Sequence, residues 1–190
     1  MQWKYPAGLL IAVVCLAPGC DSGTGFNLNP ALVQDTVLVA APLPQNSALP
    51  TALDITADGL GGVRGGRFPE RSRDALQWDF AVRIDPNGQL VLIPAAGVGI
   101  SQSRAALTQA IEGETFEGLR ETPGQSTFFT DSAIVMREGA VYAARSRDTA
   151  TTCSQFAKLQ PLEVSATDGL LRLQIVTNQL CGDARLVPID

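Results

Sequence analysis

A chain of 190 residues with 14 basic and 19 acidic side chains, a net charge of −5 and no histidine has its chemistry narrowed before any motif is read. The acidic balance and the lack of a polybasic face argue against nucleic acid as a partner. Without histidine there is no Ser-His-Asp or Cys-His catalytic set and no histidine zinc site. General acid–base work would fall to carboxylates alone, and the chain reads as no enzyme.

The first five residues carry one positive charge, Lys4, and an uncharged apolar run follows from Ala7 to Ala17. That run has the length of a signal-peptide core and is too short to cross a bilayer. Gly19 and Cys20 close it. An apolar stretch, a small residue and then a cysteine resembles the lipobox of bacterial lipoproteins, whose cysteine is acylated and becomes the new N-terminus. Pro18 departs from that pattern, and Leu16 stands one place earlier than its usual leucine. A plain secretory signal with a free Cys20 is the other reading, and both export the chain.

The expected organisation is a lipoprotein signal peptide over residues 1–19, a lipidated Cys20 with a tether to residue 34, and a single β domain over residues 35–190. The anchor would place it in the cell envelope. Asp21 resembles the enterobacterial signal for inner-membrane retention, but other bacteria do not obey that rule, so both membranes stay open. Asp21-Ser22-Gly23 has the letters of an aspartic-protease motif, yet it occurs once, in the tether, and reads as linker.

Residues 35–41 (DTVLVAA) read as a first strand or as tether, and ALDITAD (52–58) alternates as a strand should. GLGGVRGGRFPERSRD (59–74) reads as a long glycine- and arginine-rich loop. LQWDFAVRI (76–84) is the clearest strand, with Trp78, Phe80, Val82 and Ile84 on one face. DPNG (85–88) turns it into QLVLIP (89–94) as a hairpin. SRAALTQAIEG (103–113) predicts one short helix capped by Ser103 and stopped by Gly113. SAIVMR (132–137) and AVYAARSR (140–147) read as two paired strands around Glu138-Gly139. QFAKLQPLEV (155–164) and LLRLQIVTN (170–178) form a hairpin over Asp168-Gly169, and ARLVPI (184–189) suggests a last strand. Many short strands separated by turn signals predict an all-β domain, an antiparallel sandwich or barrel.

With Cys15 in the leader and Cys20 lipidated, Cys153 and Cys181 remain, and an exported chain is expected to join them. A turn centred on Thr167 pairs residues whose numbers sum to 334, and 153 and 181 meet that sum. The two cysteines therefore fall opposite each other at the open end of the last hairpin.

Other clusters carry less. GLGGVRGGR lacks the Gly-Lys-Ser/Thr ending of a phosphate loop. Its Arg64, with Arg67, Arg71 and Arg73, forms either a flexible lid for an anion or a solvated loop. Glu112, Glu114, Glu117 and Glu121 lack calcium-loop spacing and read as a solvated face. Arg137, Arg145 and Arg147 suggest a basic patch for carboxylates or charged strand edges that discourage aggregation. Lys158 is the only lysine after the leader, a scarcity that reads as genome composition.

LQWDFAVRI resembles the tryptophan-aspartate strand of HmuY-like lipoproteins, exported haem binders of bacteria. TFEGLRETPG (115–124) is similar to that family's phenylalanine-acidic segment, and AVYAARSR, FAKLQPLEV and GLLRLQIVTN to its later strands. The resemblance covers roughly residues 76–178. It implies a mostly β fold on a lipid anchor, with haem or a similar tetrapyrrole as the ligand. A histidine ligand to haem iron is absent, and of a methionine pair only Met136 exists outside the leader. Met136, with Tyr142, is then the axial-ligand candidate, and a core residue of its strand is the other reading of Met136; Arg137 and Arg145, from the basic patch, complete the candidate ligand-binding set.

Two functions follow as expectations. One is a lipid-anchored, non-catalytic binder of haem or another hydrophobic or anionic ligand. The other is an envelope module that contacts a protein partner and holds no small molecule. A cleft near Met136 would favour the first, a flat exposed apolar patch the second.

Overall fold

The computed structural model describes residues 32–149 and 153–188. The expected leader, the expected lipidation of Cys20 and the expected tether up to residue 31 lie outside the described residues. Eleven strands are present: β1 (Leu32–Ala40), β2 (Ala52–Ala57), β3 (Val63–Arg67), β4 (Phe80–Ile84), β5 (Leu90–Pro94), β6 (Ala106–Thr108), β7 (Phe128–Phe129), β8 (Ile134–Val135), β9 (Tyr142–Arg145), β10 (Phe156–Ser165) and β11 (Leu170–Asn178). Three short 3-10 turns, Pro44–Asn46, Ala95–Val98 and Gln125–Thr127, are the only helical pieces among the described residues. The strands make two antiparallel sheets, ordered β1-β11-β10-β9-β6-β7 and β3-β2-β4-β5-β8. This is the expected all-β sandwich. β1 begins at Leu32, so residues 32–34 belong to the domain rather than to the tether.

Period-two alternation builds the core. Val33, Val37 and Val39 of β1, Leu159 of β10, and Leu171, Leu173 and Ile175 of β11 point inward from the larger sheet. Leu53, Ile55, Phe80, Val82, Leu90 and Leu92 meet them from the smaller one. The outer faces are covered too. Phe116, Leu119 and Leu186 pack on Val141, Ala143, Phe156 and Val176 outside the larger sheet. Trp78 packs with Ala52, Ala81 and Ala95 outside the smaller.

The last hairpin keeps its expected register where it matters. Ala157 faces Thr177 and Pro161 faces Leu173, both pairs summing to 334, before a bulge between Pro161 and Glu163 shifts the turn end. Cys153 and Cys181 are joined, with their Cα atoms 5.6 Å apart. The DPNG hairpin is also formed: Asp85 accepts from the backbone N–H of Asn87 and Gln89, and Gly88 takes φ +76°.

Five expectations are corrected. Residues 103–113 are not a helix; Ala106–Thr108 is strand β6, wedged between β7 and β9, with Ala105, Ala106 and Leu107 fully buried. So short a helix is marginal by itself, and here pairing with neighbouring strands wins over local propensity. Val63–Arg67 is strand β3 rather than loop, paired with β2. The strand at 76–84 starts only at Phe80, because residues 71–77 coil into turns in which Asp74 N–H donates to Arg71 and Gln77 N–H to Asp74. Trp78 consequently lies on the face opposite Phe80. β8 and β9 are not paired: β8 joins β5 in one sheet, while β9 joins β10 and β6 in the other. At 184–188 there is only an isolated bridge between Glu121 and Arg185.

The glycines of β3 close one side of the sandwich. Gly65 takes φ +72°, and a Cβ there would sit 3.3 Å from the Val37 side chain of β1. A Cβ on Gly66 would overlap the Pro50 ring, meeting its Cβ at 2.8 Å. A Gly66→Ala substitution is therefore expected to cost about 1–3 kcal/mol by overpacking, read by urea denaturation.

Candidate functional site

Two polar features stand out from the apolar layers: a charged seam between the sheets and a cleft outside the larger one. The seam arises because β2 pairs with β4 only at Ala52 and Leu53. The backbone groups of Ile55 and Ala57 then need other partners, since a buried unpaired amide or carbonyl is costly. Asp79 Oδ2 accepts from Ile55 N–H at 2.8 Å, Gln155 Oε1 from Ala57 N–H at 2.8 Å, and the Thr177 hydroxyl donates to Ile55 O at 2.7 Å.

Arg147, just past β9 of the larger sheet, reaches across. Its Nη1 is 3.0 Å from both Asp54 Oδ1 and Asp79 Oδ1, and its Nη2 is 3.1 Å from Asp54 Oδ2. Arg67 adds a second cation, its Nη2 3.2 Å from Asp54 and its Nη1 3.7 Å from Asp74. Arg147 thus belongs to no surface patch; it bolts the two sheets together. Neither Asp54 nor Asp79 lines a described cleft, so the seam is a structural device.

Asp79 is fully buried, and burial raises its pKa to about 7. The nearby Asp54 charge acts in the same direction, while Arg147 and the amides of Arg147 and Ile55 oppose it. The folded state therefore holds this proton more tightly than the unfolded chain. The associated stability is complete below about pH 4 and is lost as pH rises through about 7. The protein is expected to melt a few degrees lower at pH 8 than at pH 5. Melting curves should show that slope flattened by Asp79→Asn.

The cleft lies on the outer face of β1, β11 and β10. Register sets Gln34, Val176 and Lys158 in one row across those strands. Residues 109–127 form one wall through Phe116 and Glu117, and the C-terminal segment forms the other through Leu186, Val187 and Pro188. That segment is held by Leu186 N–H donating to Arg120 O and by Asn178 Nδ2 donating to Arg185 O at 2.9 Å. The cleft is open to solvent and has a volume of 510 Å³, within the range of small-molecule sites, with Leu32 and Gln174 completing the lining.

Lys158 sits on the cleft floor, 5% exposed. Its Nζ donates to Leu119 O at 3.2 Å and lies 4.9 Å from the centre of the Phe116 ring. An ammonium has three N–H donors, so one carbonyl and one ring face leave it capacity for an anion. Burial holds its pKa below the ordinary lysine value, with Glu117 and Glu114 acting in the opposite sense.

The residues singled out from sequence fall elsewhere. Met136 is in the core between the sheets and lines none of the described clefts. Tyr142 is fully buried, its hydroxyl donating to Val135 O and accepting from Arg137 N–H, both at 2.9 Å. Burial raises its pKa and disfavours a phenolate. A haem face has no access to either, so the pair does not fit as axial ligands. Arg137 is exposed ahead of β9, and Arg145 stands at its far end, where its Nε donates to Arg104 O at 3.0 Å. The two are not brought together. Among the described residues no group of three or more acidic, Cys or His side chains converges as a metal site.

A scan against protein-family models and searches of curated proteins and of solved structures find no match to this chain.

Proposed function

We propose that this is an exported, lipid-anchored, non-catalytic binding protein of the bacterial envelope whose ligand occupies the cleft over Lys158. The observation that carries the reading is a nearly buried ammonium on the floor of a 510 Å³ cleft with Leu32, Phe116, Val176 and Leu186 around it. An apolar body would cover those side chains while an anionic group meets Lys158. The ligand class is an amphipathic anion. Haem or a similar tetrapyrrole is the candidate supplied by the family resemblance, and it would be held here through a carboxylate rather than through iron.

Titration with haemin, followed by Soret absorbance and thermal unfolding, tests this reading. Saturable binding is expected, with a raised melting temperature. Lys158→Met should weaken it about 10-fold or more, the scale of one charge-assisted hydrogen bond, and Met136→Leu should not change it. Absence of saturable binding would remove haem as the candidate, and saturable binding of equal affinity in Lys158→Met would contradict the reading of the cleft.

A second reading is a protein-interaction module of the envelope. It is favoured by an apolar hollow of 360 Å³ beside the two-residue strand β7, lined by Ala110, Ile111, Pro123 and the exposed Phe129. Binding of an envelope protein unaffected by cleft substitutions would support it.

A further inference from the structure

We infer that the cleft selects a single-headed carboxylate amphipath, of the fatty-acid class, over a ligand with two negative charges. The inference rests on the reading of the cleft as a ligand site and narrows its chemistry. Among the described residues that line the cleft, Lys158 is the one cation and Glu117 the one acid. Glu114 lies close enough to act on Lys158 as well. Arg185, on the adjoining C-terminal segment, is committed to Asp183, its Nε 2.9 Å from Oδ1.

A monocarboxylate therefore neutralises the one available cation. A second negative charge, on haem or on a phosphate monoester, would meet no partner and would face Glu117. Gln34 and Gln174 also line the cleft and offer neutral amide donors beside the ammonium. The rest of the lining, Leu32 and Val176 on the floor and Leu186 and Val187 on the wall, suits an alkyl chain.

The supply is close if Cys20 carries the anchor. Eleven residues separate it from Leu32, which lines the cleft. At no more than about 3.6 Å each, they hold the cleft within roughly 40 Å of the bilayer.

After the expected leader the chain has one lysine, Lys158, so amine acylation read by peptide mass spectrometry reports the cleft, with a lysine-bearing peptide free in solution as the reference. The anchored chain, residues 20–190, would be held in phosphatidylcholine vesicles and labelled with and without dodecanoate, dodecanol or haemin. Dodecanoate at about ten times its dissociation constant should slow labelling of Lys158 about tenfold while the reference peptide is unaffected. Dodecanol should have no effect, and haemin a smaller one. Protection by haemin but not by dodecanoate would overturn this inference and leave the cleft as a site. Equal protection by dodecanol would overturn the choice of a carboxylate. Protection by neither anion, or a Lys158 that never labels, would overturn both the inference and the cleft reading. The labelling needs no variant, so a substitution that fails to fold does not block it.

Discussion

Replacing Arg147 with methionine is expected to cost about 3–5 kcal/mol at pH 8, the loss typical when one partner of a buried ion pair is removed. The side chains of Asp54 and Asp79 are wholly buried and that of Arg147 is 17% exposed, so water cannot take over the role of the guanidinium. Arg67 would still compensate Asp54, and Asp79 would be left charged or forced to take up a proton. The penalty should therefore shrink as pH falls from 8 to 5, because Asp79 is then protonated at little cost. Adding Asp79→Asn to the Arg147→Met chain should recover part of the loss. Denaturant titrations of the two single variants and the double variant measure this as a coupling energy. Additive losses would show that the seam is not a unit.

Removing the Cys153–Cys181 bond by paired serine substitution is expected to cost about 3–4 kcal/mol, from the entropy regained by the unfolded chain when a closure spanning 28 residues is opened. The effect on the folded state should be local. β10 and β11 remain paired from Ala157–Thr177 to the turn, so the sandwich keeps its register. Without the bond, fraying should begin at the end where Gln155 meets Ala57 and Gln179. Hydrogen exchange should accelerate first at Ala57 N–H. Uniform acceleration across β4 and β5 would contradict a local role.

The parts of the fold legible in the sequence are those written in contiguous residues. Asp168-Gly169 set the register that pairs the cysteines, and Asp85-Pro86-Asn87-Gly88 joined two strands whose own alternation announced them. What was not legible depended on distant partners. Ala105 to Thr108 suit a helix by composition and become a strand only because β7 and β9 lie on either side, the Thr108 hydroxyl accepting from Ala143 N–H. β8 and β9 look like one hairpin, yet the chain crosses between sheets after Met136, pinned by the Tyr142 hydroxyl.

The site follows the same rule. On a strand reading FAKLQ, Lys158 alternates outward and looks solvated, and residues 109–127 and 184–188 bury it from far along the chain. Its being the only lysine after the leader was visible, but scarcity alone names no role. Asp79 was visible as a charge opposite a core face; the orphaned backbone it satisfies was not. Met136 and Tyr142 stand out in the sequence for what their side chains can bind, and the alternation that buries Ile134 and Met136, and Tyr142 and Ala144, places them in the core.

The central claim is that Lys158 meets an anionic ligand in the outer cleft. Its most direct test is the NMR spectrum of the chain after the expected leader, labelled with carbon-13 and nitrogen-15 in lysine alone, which contains one set of side-chain signals, from Lys158. On titration with dodecanoate those signals should move saturably, and with dodecanol they should stay fixed. Lys158 signals that remain in place throughout the dodecanoate titration, or that move equally with dodecanol, would contradict the claim.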